Sequence, residues 1–263
     1  MPRGVRSSGP EGSAAPSSVQ KACLILRAMS DARNVRLTDI AQAAGQDKAT
    51  TLRLLDVLAR HGFVNRDPES KRYSLGPEIF ALGAAAMARS DPRARVRPSL
   101  IQLVRAFEDT TILSVPRGAE SVAVDVQQGS FAIRANYLEV GSRRPLGVGA
   151  GSLALLAWLP DDEIEALMPF ITDRLASYPL LSPALLRRSI DDARRRGYAL
   201  QLDVVVPRMG GIAVPILSQD GRPSAAISIA ALSERISGRE AAIAEALQRE
   251  AAACRAYWRQ AAL

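Results

Sequence analysis

Apolar residues recur at helical spacing in three short segments near the amino terminus. The first predicted helix runs from Ser18 to about Ser30, with an apolar face supplied by Val19, Cys23, Leu24, Leu26 and Ala28. The second covers residues 37–44, with one apolar side made of Ile40, Ala41 and Ala44. In the third, spacing of i, i+3, i+4, i+7 predicts a single buried stripe of Thr51, Leu54, Leu55 and Leu58.

Turn and capping residues separate these helices and introduce a hairpin. Gly45 ends the second helix, because glycine adopts the left-handed C-terminal conformation at little cost. Asp47 is suited to cap the third helix, and Gly62 closes it. Strands at 63–65 and 72–75 then flank a polar turn. Three helices followed by a hairpin predict a winged helix-turn-helix domain over residues 18–76.

The pattern changes on both sides of this domain. Residues 1–17 are rich in Gly, Pro and Ser, which predicts a disordered arm able to reach DNA through Arg3 and Arg6. Residues 77–92 predict a linker helix that is rich in alanine and is broken by an Asp-Pro pair. Another helix with an inward apolar face is predicted at 95–108.

Strand and helix patterns then alternate without a fixed rhythm over residues 93–263. Segments bounded by turns predict strands at 111–115, 121–126, 131–137, 198–206, 211–217 and 224–230. Helical patterns lie at 153–159, 161–168, 183–196 and about 238–261. Because no strict strand-helix-strand rhythm is present, the fold class is predicted to be α+β with a largely antiparallel sheet.

Composition and charge agree with two globular domains and an anionic partner. The 263 residues are 48% hydrophobic and 23% charged, which is ordinary for a globular protein. The net charge is +7, and residues 1–92 carry 13 Lys and Arg against 9 Asp and Glu. The predicted helix-turn-helix part therefore has the higher density of positive charge, as binding to nucleic acid requires.

Cysteine usage and hydropathy narrow the class further. Cys23 and Cys254 lie far apart, so they are predicted to be buried reduced thiols without a disulfide or metal. No run of about 18 apolar residues predicts a membrane span, and no apolar run follows the first arginines as in a secretory signal. A cytoplasmic protein without a membrane partner is expected.

The third helix offers a face that can read DNA. With its apolar stripe buried, the outward positions near its start are Lys48, Ala49, Thr50 and Arg53. Arginine pairs with guanine in bidentate fashion, whereas lysine and a helix amino terminus suit phosphate. The hairpin adds basic residues for phosphates or the minor groove, at Arg66, Lys71 and Arg72. The alternative for each arginine taken singly is a solvated surface charge.

The order of these motifs resembles the IclR family of bacterial transcriptional regulators. The amino-terminal half contains SVQKACLILRAM, LTDIAQAAGQDKATTLRLLDVLARHGFV and KRYSLGPEIFALG. The carboxy-terminal half contains RRPLGVGAGSLALLAWLP, RRRGYALQLDVVVPRMGGIAVPI and GRPSAAISIAALSERIS. Family members commonly carry Pro, Ser and His where this chain has Asp47, Ala49 and Leu52. Base contacts, and therefore the operator sequence, do not carry over.

The resemblance implies a GAF-like carboxy-terminal domain that binds a small organic acid, often carboxylic or aromatic. The positions of the family's ligand contacts are Gly149, Ala150, Gly151, Gln201, Gly211, Ser228 and Ala230. Many relatives have an acid at Gln201, Cys at Gly211, Ser at Ala230 and Lys at Ser152. We therefore expect a roomier, less polar pocket that takes an aromatic acid, with apolar walls at Leu146, Leu153, Met209 and Ile212.

The residues alone support the glycine part of this expectation. Backbone N–H groups at Gly149 and Gly151 precede an apolar helix and can meet an anion, although such a glycine cluster taken alone is more often an ordinary turn than a binding site. Gly210-Gly211 allows close backbone approach beside a strand.

Two other classes of function stay open at this point. An enzyme fused to a winged helix is disfavoured because the one histidine, His61, ends the DNA-reading helix and no catalytic, cofactor or metal motif is present. A DNA-binding architectural protein without an effector is the more serious alternative. A regulator is expected to be a homodimer or a dimer of dimers on palindromic operator DNA.

Overall fold

The structure is a computed structural model that describes residues 16–30, 33–89, 92–134 and 138–258. The chain divides into two compact units, Met1–Met87 and Ala88–Leu263, and the division falls inside the predicted linker of residues 77–92. Of the predicted disordered arm, residues 1–15 lie outside the described residues, as do residues 90 and 91 of the linker. Within the described part, no helix combines the length and apolar composition needed to cross a membrane.

The amino-terminal unit is the predicted winged helix-turn-helix. Its elements are α1 (Ser18–Ala28), α2 (Leu37–Ala43), α3 (Lys48–Arg60), β1 (Val64–Arg66), β2 (Tyr73–Leu75) and α4 (Pro77–Arg89). The two strands pair antiparallel, with Val64 opposite Leu75. One small core joins the three helices to the hairpin, formed by Ile25, Met29, Ile40, Ala44, Leu54, Leu55, Val64 and Tyr73.

The face of α1 differs from the prediction. Ile25 and Met29 are buried, whereas Val19 is 74% exposed and Leu24 is 40% exposed. Cys23 is also exposed, so the prediction of a buried thiol is wrong there and right for Cys254. Apolar residues occur nearly all round this short helix, so periodicity did not distinguish the side that packs against α3.

The carboxy-terminal unit is an antiparallel sheet between two helical layers. Its strands are β3 (Thr110–Arg117), β4 (Glu120–Gln127), β5 (Arg143–Pro145), β6 (Ala199–Leu202), β7 (Met209–Leu217) and β8 (Pro223–Leu232). Within the described residues these strands form one sheet in the order β5-β4-β3-β8-β7-β6. Its helices are α5 (Pro92–Phe107), α6 (Ala150–Ala157), α7 (Asp161–Leu175), α8 (Pro183–Arg196), α9 (Ser233–Ser237) and α10 (Glu240–Trp258). The α+β prediction is confirmed.

Each face of the sheet has its own core. On one face, α5 and α10 pack on inward residues such as Leu113, Val214 and Ile227. On the other face, α6, α7 and α8 cover the small residues Ala213 and Ala226. Small side chains let the apolar helix α6 approach the strands closely, and this close approach positions the site described below.

Several predicted boundaries were wrong in this unit. Residues 131–134 are bends rather than a strand, and residues 135–137 lie outside the described residues. Phe131 donates its N–H to the carbonyl of Glu108 (3.0 Å), and its ring lies 3.6 Å from the guanidinium of Arg235. Phe131 makes these tertiary contacts, whereas Ile133 of the same alternating pattern is 55% exposed. The sixth strand of the described sheet is instead β5.

Other elements differ in length. The predicted strand at 198–206 ends at Leu202, because Asp203 adopts a φ of +60° and turns the chain. Helix α7 runs past Pro169 to Leu175, and the short helix α9 has no counterpart among the predictions.

Candidate DNA-reading surface and effector cavity

Helix α3 is anchored by its own cap and by its buried stripe. Asp47 Oδ1 accepts the N–H of Thr50 at 2.8 Å, and Thr51 Oγ1 donates to the carbonyl of Asp47 at 2.8 Å. Thr51, Leu54 and Leu55 are buried against the unit's core. The N–H of Thr50 lowers the pKa of the Asp47 carboxyl, so the cap is ionised at neutral pH.

The predicted DNA-reading side chains lie on the opposite face of α3. Lys48, Ala49 and Arg53 are exposed, and Thr50 is half-buried beside its cap. His61 follows the last turn of the helix as its C-cap. The exposed face therefore carries a cation, a small residue and a guanidinium over its first two turns, which is the composition a helix needs to enter a major groove.

The wing is shaped by an aspartate turn. Asp67 Oδ1 accepts the N–H groups of Glu69 (3.0 Å) and Ser70 (2.6 Å), and the N–H of Ser70 is the largest cause of its lowered pKa. Lys71 then takes a φ of +57°, which completes the reversal. Arg66, Lys71 and Arg72 are all exposed around this turn. The hairpin thus presents three cations on a short, well-ordered ribbon.

A cavity in the carboxy-terminal unit lies between the sheet and the start of α6. Its volume is about 50 Å³. A water molecule needs about 10–15 Å³ of such space, so the cavity holds roughly four waters or a compact organic molecule. Six of the seven positions implied by the family resemblance line it, namely Gly149, Ala150, Gly151, Gln201, Gly211 and Ser228.

The glycines at the start of α6 have distinct roles. Gly149 precedes the helix with a φ of +86°, and a Cβ there would lie 2.9 Å from the guanidinium of Arg144. Gly151 has an ordinary helical conformation, but its Cβ would lie 3.3 Å from Ser228 Oγ and 3.5 Å from Ser114 Oγ. The absence of a side chain at Gly151 therefore keeps open the space above two serine hydroxyls.

Gln201 is tied to the loop that leads into α6. Its Oε1 accepts the N–H of Gly149 at 2.7 Å, and its Nε2 donates to the carbonyl of Gly147 at 2.9 Å. The side chain is 6% exposed. Gln201 thus occupies one of the backbone donors that the sequence offered to an anion, and it holds the loop against β6.

Two further serines are joined by a hydrogen bond along the cavity wall. Ser152 Oγ donates to the carbonyl of Pro145 at 2.8 Å, so the 2.8 Å contact between the hydroxyls of Ser121 and Ser152 uses the Ser121 proton. Both residues are buried. Both hydroxyl protons are used in hydrogen bonds within the fold. Ser121 Oγ therefore accepts, and does not donate, a hydrogen bond from a ligand in the cavity.

The sequence analysis missed Arg144, which lines the cavity from β5. Among the described residues that line it, Arg144 has the one formally charged side chain. Serines at 114, 121 and 142 were missed too, so together with Ser152 the lining is more polar than expected. The Arg-Arg-Pro sequence just before the glycine loop was the one sequence feature that could have indicated Arg144. No local sequence pattern, however, places this segment opposite α6.

Ala230 and most of the expected apolar walls lie elsewhere. Ala230 is buried next to the cavity, in a small cluster with Ile112 and Ala123. Leu146 and Leu153 belong to the core beneath α6, and Ile212 belongs to the core on the other face of the sheet. Of the expected walls Met209 lines the cavity, together with Ile112, Leu138, Val148, Val204 and Val205. Successive side chains in β7 point to opposite faces of the sheet. Ile212 therefore faces away from the cavity that its neighbour Gly211 lines.

Both units match models of one protein family. The IclR helix-turn-helix domain matches residues 18–68, and the carboxy-terminal domain of bacterial transcriptional regulator IclR matches residues 84–255. The chain is 31% identical over 232 residues to the HTH-type transcriptional regulator XynR of Escherichia coli K12, covering 86% of this chain and 90% of that protein.

Solved structures agree in fold. An IclR transcriptional regulator from Alicyclobacillus acidocaldarius superposes with a TM-score of 0.77 at 27% identity, covering 91% of this chain and 98% of that chain. An IclR homologue from Microbacterium hydrocarbonoxydans, complexed with 4-hydroxybenzoate, has a TM-score of 0.72 at 23% identity over 92% of this chain and 98% of that chain. Family models thus cover both units in the order in which the winged helix and the cavity occur, and the chain belongs to the IclR family of DNA-binding bacterial transcriptional regulators.

Proposed function

We propose that this regulator binds operator DNA through α3 and its wing, and that a small organic acid in the cavity changes its affinity for that DNA. On the DNA side, Arg53 and Thr50 contact base edges, while Lys48 and the wing residues Arg66, Lys71 and Arg72 contact phosphates. The small side chain of Ala49 lets α3 approach the wall of the DNA major groove closely.

The charge of the cavity lining is the observation that supports an organic acid as the ligand. Among the described lining residues, Arg144 has the one formally charged side chain, and the lining contains neither Asp nor Glu. The α6 amino terminus faces the same space and favours negative charge through its backbone dipoles. The charge of Arg144 and the helix dipole therefore both favour an anion over a cation in this space.

The size and walls of the cavity favour a compact acid with an apolar body. The apolar side chains of Val204, Val205 and Met209 are part of the lining of this volume of about 50 Å³. The side chains of Leu138 and Met209 are partly exposed, so their movement would enlarge the space. The relative solved with 4-hydroxybenzoate supports an aromatic acid as the first ligand to test.

A regulator of this kind places two recognition helices on one operator. We infer a homodimer or a dimer of dimers, since a two-fold protein matches a palindromic site with half-sites about one helical turn apart. Ligand turnover forms no part of the proposal, because the lining residues that the structure describes include no histidine, cysteine or carboxylate to act as a catalyst.

The test is fluorescence anisotropy of the full chain on DNA from upstream of its own gene. Binding is measured at fixed salt, with and without a panel of benzoates and keto acids. We expect specific binding that one acid changes, and we expect Arg144→Gln to weaken that acid at least tenfold, because the lost contact is charged. Arg105→Gln is the matched control, with the same change of charge at an exposed arginine of α5 that does not line the cavity.

One observation favours a second candidate, a DNA-binding protein that needs no effector. Gln201 already occupies the N–H of Gly149 and the carbonyl of Gly147. If the loop is complete without a ligand, operator affinity is unchanged by every acid, and no acid raises the melting temperature. That outcome would replace the effector-responsive proposal.

A further inference from the structure

One row of residues crosses the sheet beneath the cavity. Thr110 pairs with Ala230, Ala230 with Gly211, and Gly211 with Gln201. Paired residues on neighbouring strands direct their side chains to the same face, and strands lie about 4.8 Å apart. The row therefore has polar side chains at both ends and only small residues between them. At Gly211 the helix α6 packs on the row, since a Cβ there would lie 3.3 Å from Ala150 Cβ.

The two ends of this row differ in their hydrogen bonding. At the Gln201 end, both amide atoms are bonded within the fold. At the other end, Thr110 is 1% exposed, and its Oγ1 is buried without a hydrogen-bond partner among the described residues. Leaving a buried hydroxyl unpaired costs stability, so such a group requires an explanation.

The neighbouring threonine shows that the contrast is specific to the cavity face. Thr111 lies on the opposite face of β3, where its Oγ1 donates to the carbonyl of Leu100 at 3.2 Å. The two residues have the same type, the same strand and the same degree of burial. Of these two threonine hydroxyls, the one on the cavity face of the sheet lacks a partner among the described residues.

The cluster that contains Ala230, the neighbour of Thr110 in this row, also supplies cavity-lining side chains that are able to move. Ile112, two residues along β3, lines the cavity and lies about 7 Å from Thr110 at the usual rise of a strand. Leu138 and Met209 are partly exposed, line the cavity and pack on the cluster that contains Ala230. Methionine is flexible, so a ligand longer than the present cavity displaces it at low cost.

We propose that Thr110 is a specificity-determining residue, whose hydroxyl bonds a polar substituent at the end of the effector remote from α6. This inference rests on the proposed function, since it assumes that an acid occupies the cavity. With the carboxylate near Arg144 and the α6 amino terminus, the body of the acid lies over Ala230 and its far end reaches Thr110. A hydroxyl group on the acid satisfies the orphaned Oγ1 as either donor or acceptor.

The test is calorimetric titration of the full chain with benzoate, 3-hydroxybenzoate and 4-hydroxybenzoate. We expect the wild type to prefer one hydroxybenzoate over benzoate by about threefold to tenfold, the value of one neutral hydrogen bond. Thr110→Val should abolish that preference, Thr110→Ser should retain part of it, and Thr111→Val should leave it unchanged. Equal preference in the wild type and Thr110→Val would overturn the inference but not the effector site.

The melting temperature without ligand is a second, independent measurement. Thr110→Val should melt no lower than the wild type because it removes an unpaired hydroxyl, whereas Thr111→Val should melt lower because it removes a bonded one. Equal losses in both variants would mean that Thr110 is paired within the fold, and the inference would be wrong. Binding of none of the three acids to the wild type would refute the effector proposal for this class and the inference with it.

Discussion

Gly151 shows how the loss of one side chain creates a binding space. It lies in the first turn of α6 with ordinary helical geometry, so no backbone conformation requires glycine there. What it provides is room in front of the hydroxyls of Ser114 and Ser228. Glycine in a helix costs about 1 kcal/mol relative to alanine, which marks this position as one where space matters more than stability.

Gly151→Ala should therefore separate folding from ligand binding. The new methyl group would stand 3.3 Å from Ser228 Oγ, a tight contact that small shifts relieve. We expect unfolding free energy within about 1 kcal/mol of the wild type, since alanine favours the helix. Affinity for the acid should fall at least tenfold in calorimetry. Gly83→Ala, at a helical glycine with open space around it, is the control and should leave acid affinity unchanged.

Arg53 is the residue for which we predict a loss of sequence preference. It is exposed on the outward face of α3 and has the geometry to pair with guanine. Arg53→Ala should cost about 1–3 kcal/mol against the preferred base at one operator position and little on random DNA. Competition anisotropy with single-base operator variants measures this. Arg249→Ala, an equal change of charge on α10, should not alter base preference.

Arg72 should behave differently because a wing phosphate contact carries no base information. Arg72→Ala is expected to weaken binding to operator and random DNA by similar factors. The slope of log affinity against log salt should become shallower by about one. Titrations at four or more salt concentrations give the slope. If Arg53→Ala and Arg72→Ala had the same effect on base preference, the assignment of roles to α3 and the wing would be wrong.

At the scale of elements, a β-bulge in β4 sets which of its side chains point to the cavity and which point to α5. Leu113 pairs with Asp125, but Ser114 pairs with Ala123, so β4 carries one extra residue. Ser121 and Ala123 consequently face the cavity, while Asp125 turns toward α5 and binds Arg97 at 2.8 Å. A bulge re-aims the side chains that follow it, and here it joins the cavity strand to the first helix of the unit.

Glu120 fastens the start of β4 to β5 and α7. Its carboxylate accepts Arg143 at 3.1 Å and also contacts Arg174. Burial opposes ionisation of Glu120, but the hydrogen bonds and charges of the two arginines outweigh it and lower its pKa. Because Arg143 precedes the cavity residue Arg144, this ion-paired cluster positions one wall of the cavity.

The pH dependence of Glu120→Gln follows from that lowered pKa. A carboxyl with a depressed folded pKa stabilises the fold above its unfolded value of about 4.3, and this contribution disappears as pH falls through the folded pKa. The variant should therefore be less stable than the wild type at pH 7, by up to about 1 kcal/mol, and the difference should vanish in acid. Urea unfolding between pH 3 and 7 tests this. Glu245→Gln, an exposed control on α10, should cost less at pH 7.

At the scale of the whole molecule, the DNA-reading surface and the cavity belong to different compact units. α3 and the wing lie in Met1–Met87, and every described cavity residue lies in Ala88–Leu263. An acid in the cavity would therefore lie in a different compact unit from the residues proposed to read DNA. Any effect on DNA affinity has to be a coupling between two sites, which is reciprocal by thermodynamic necessity.

Reciprocity gives a quantitative prediction for the full chain. If saturating acid changes operator affinity by a given factor, saturating operator must change acid affinity by the same factor, typically 5–150-fold. Anisotropy with and without acid gives the first factor, and calorimetry with and without operator gives the second. Random-sequence DNA is the control. Factors that differ beyond error would contradict a regulator that couples these two sites.

The sequence by itself determined the features that depend on neighbouring residues. The cap at Asp47, the left-handed Gly45, the buried stripe of α3 and the wing were all predicted, because capping, turns and helical period are local properties. The antiparallel α+β class followed from the rhythm of its segments. The position of six cavity residues came from the family resemblance rather than from any local pattern.

Only the tertiary structure decided which of these residues meet. Arg144 lines the cavity from β5, and the Gln201 amide is hydrogen-bonded to the loop before α6. Thr110 lies in one row across the sheet with Ala230 and Gly211. Each of these facts depends on strand order and register between segments far apart in the chain. Register is set by the packing of whole faces, since a shift of one residue reverses every side chain, and no short stretch of sequence contains that information.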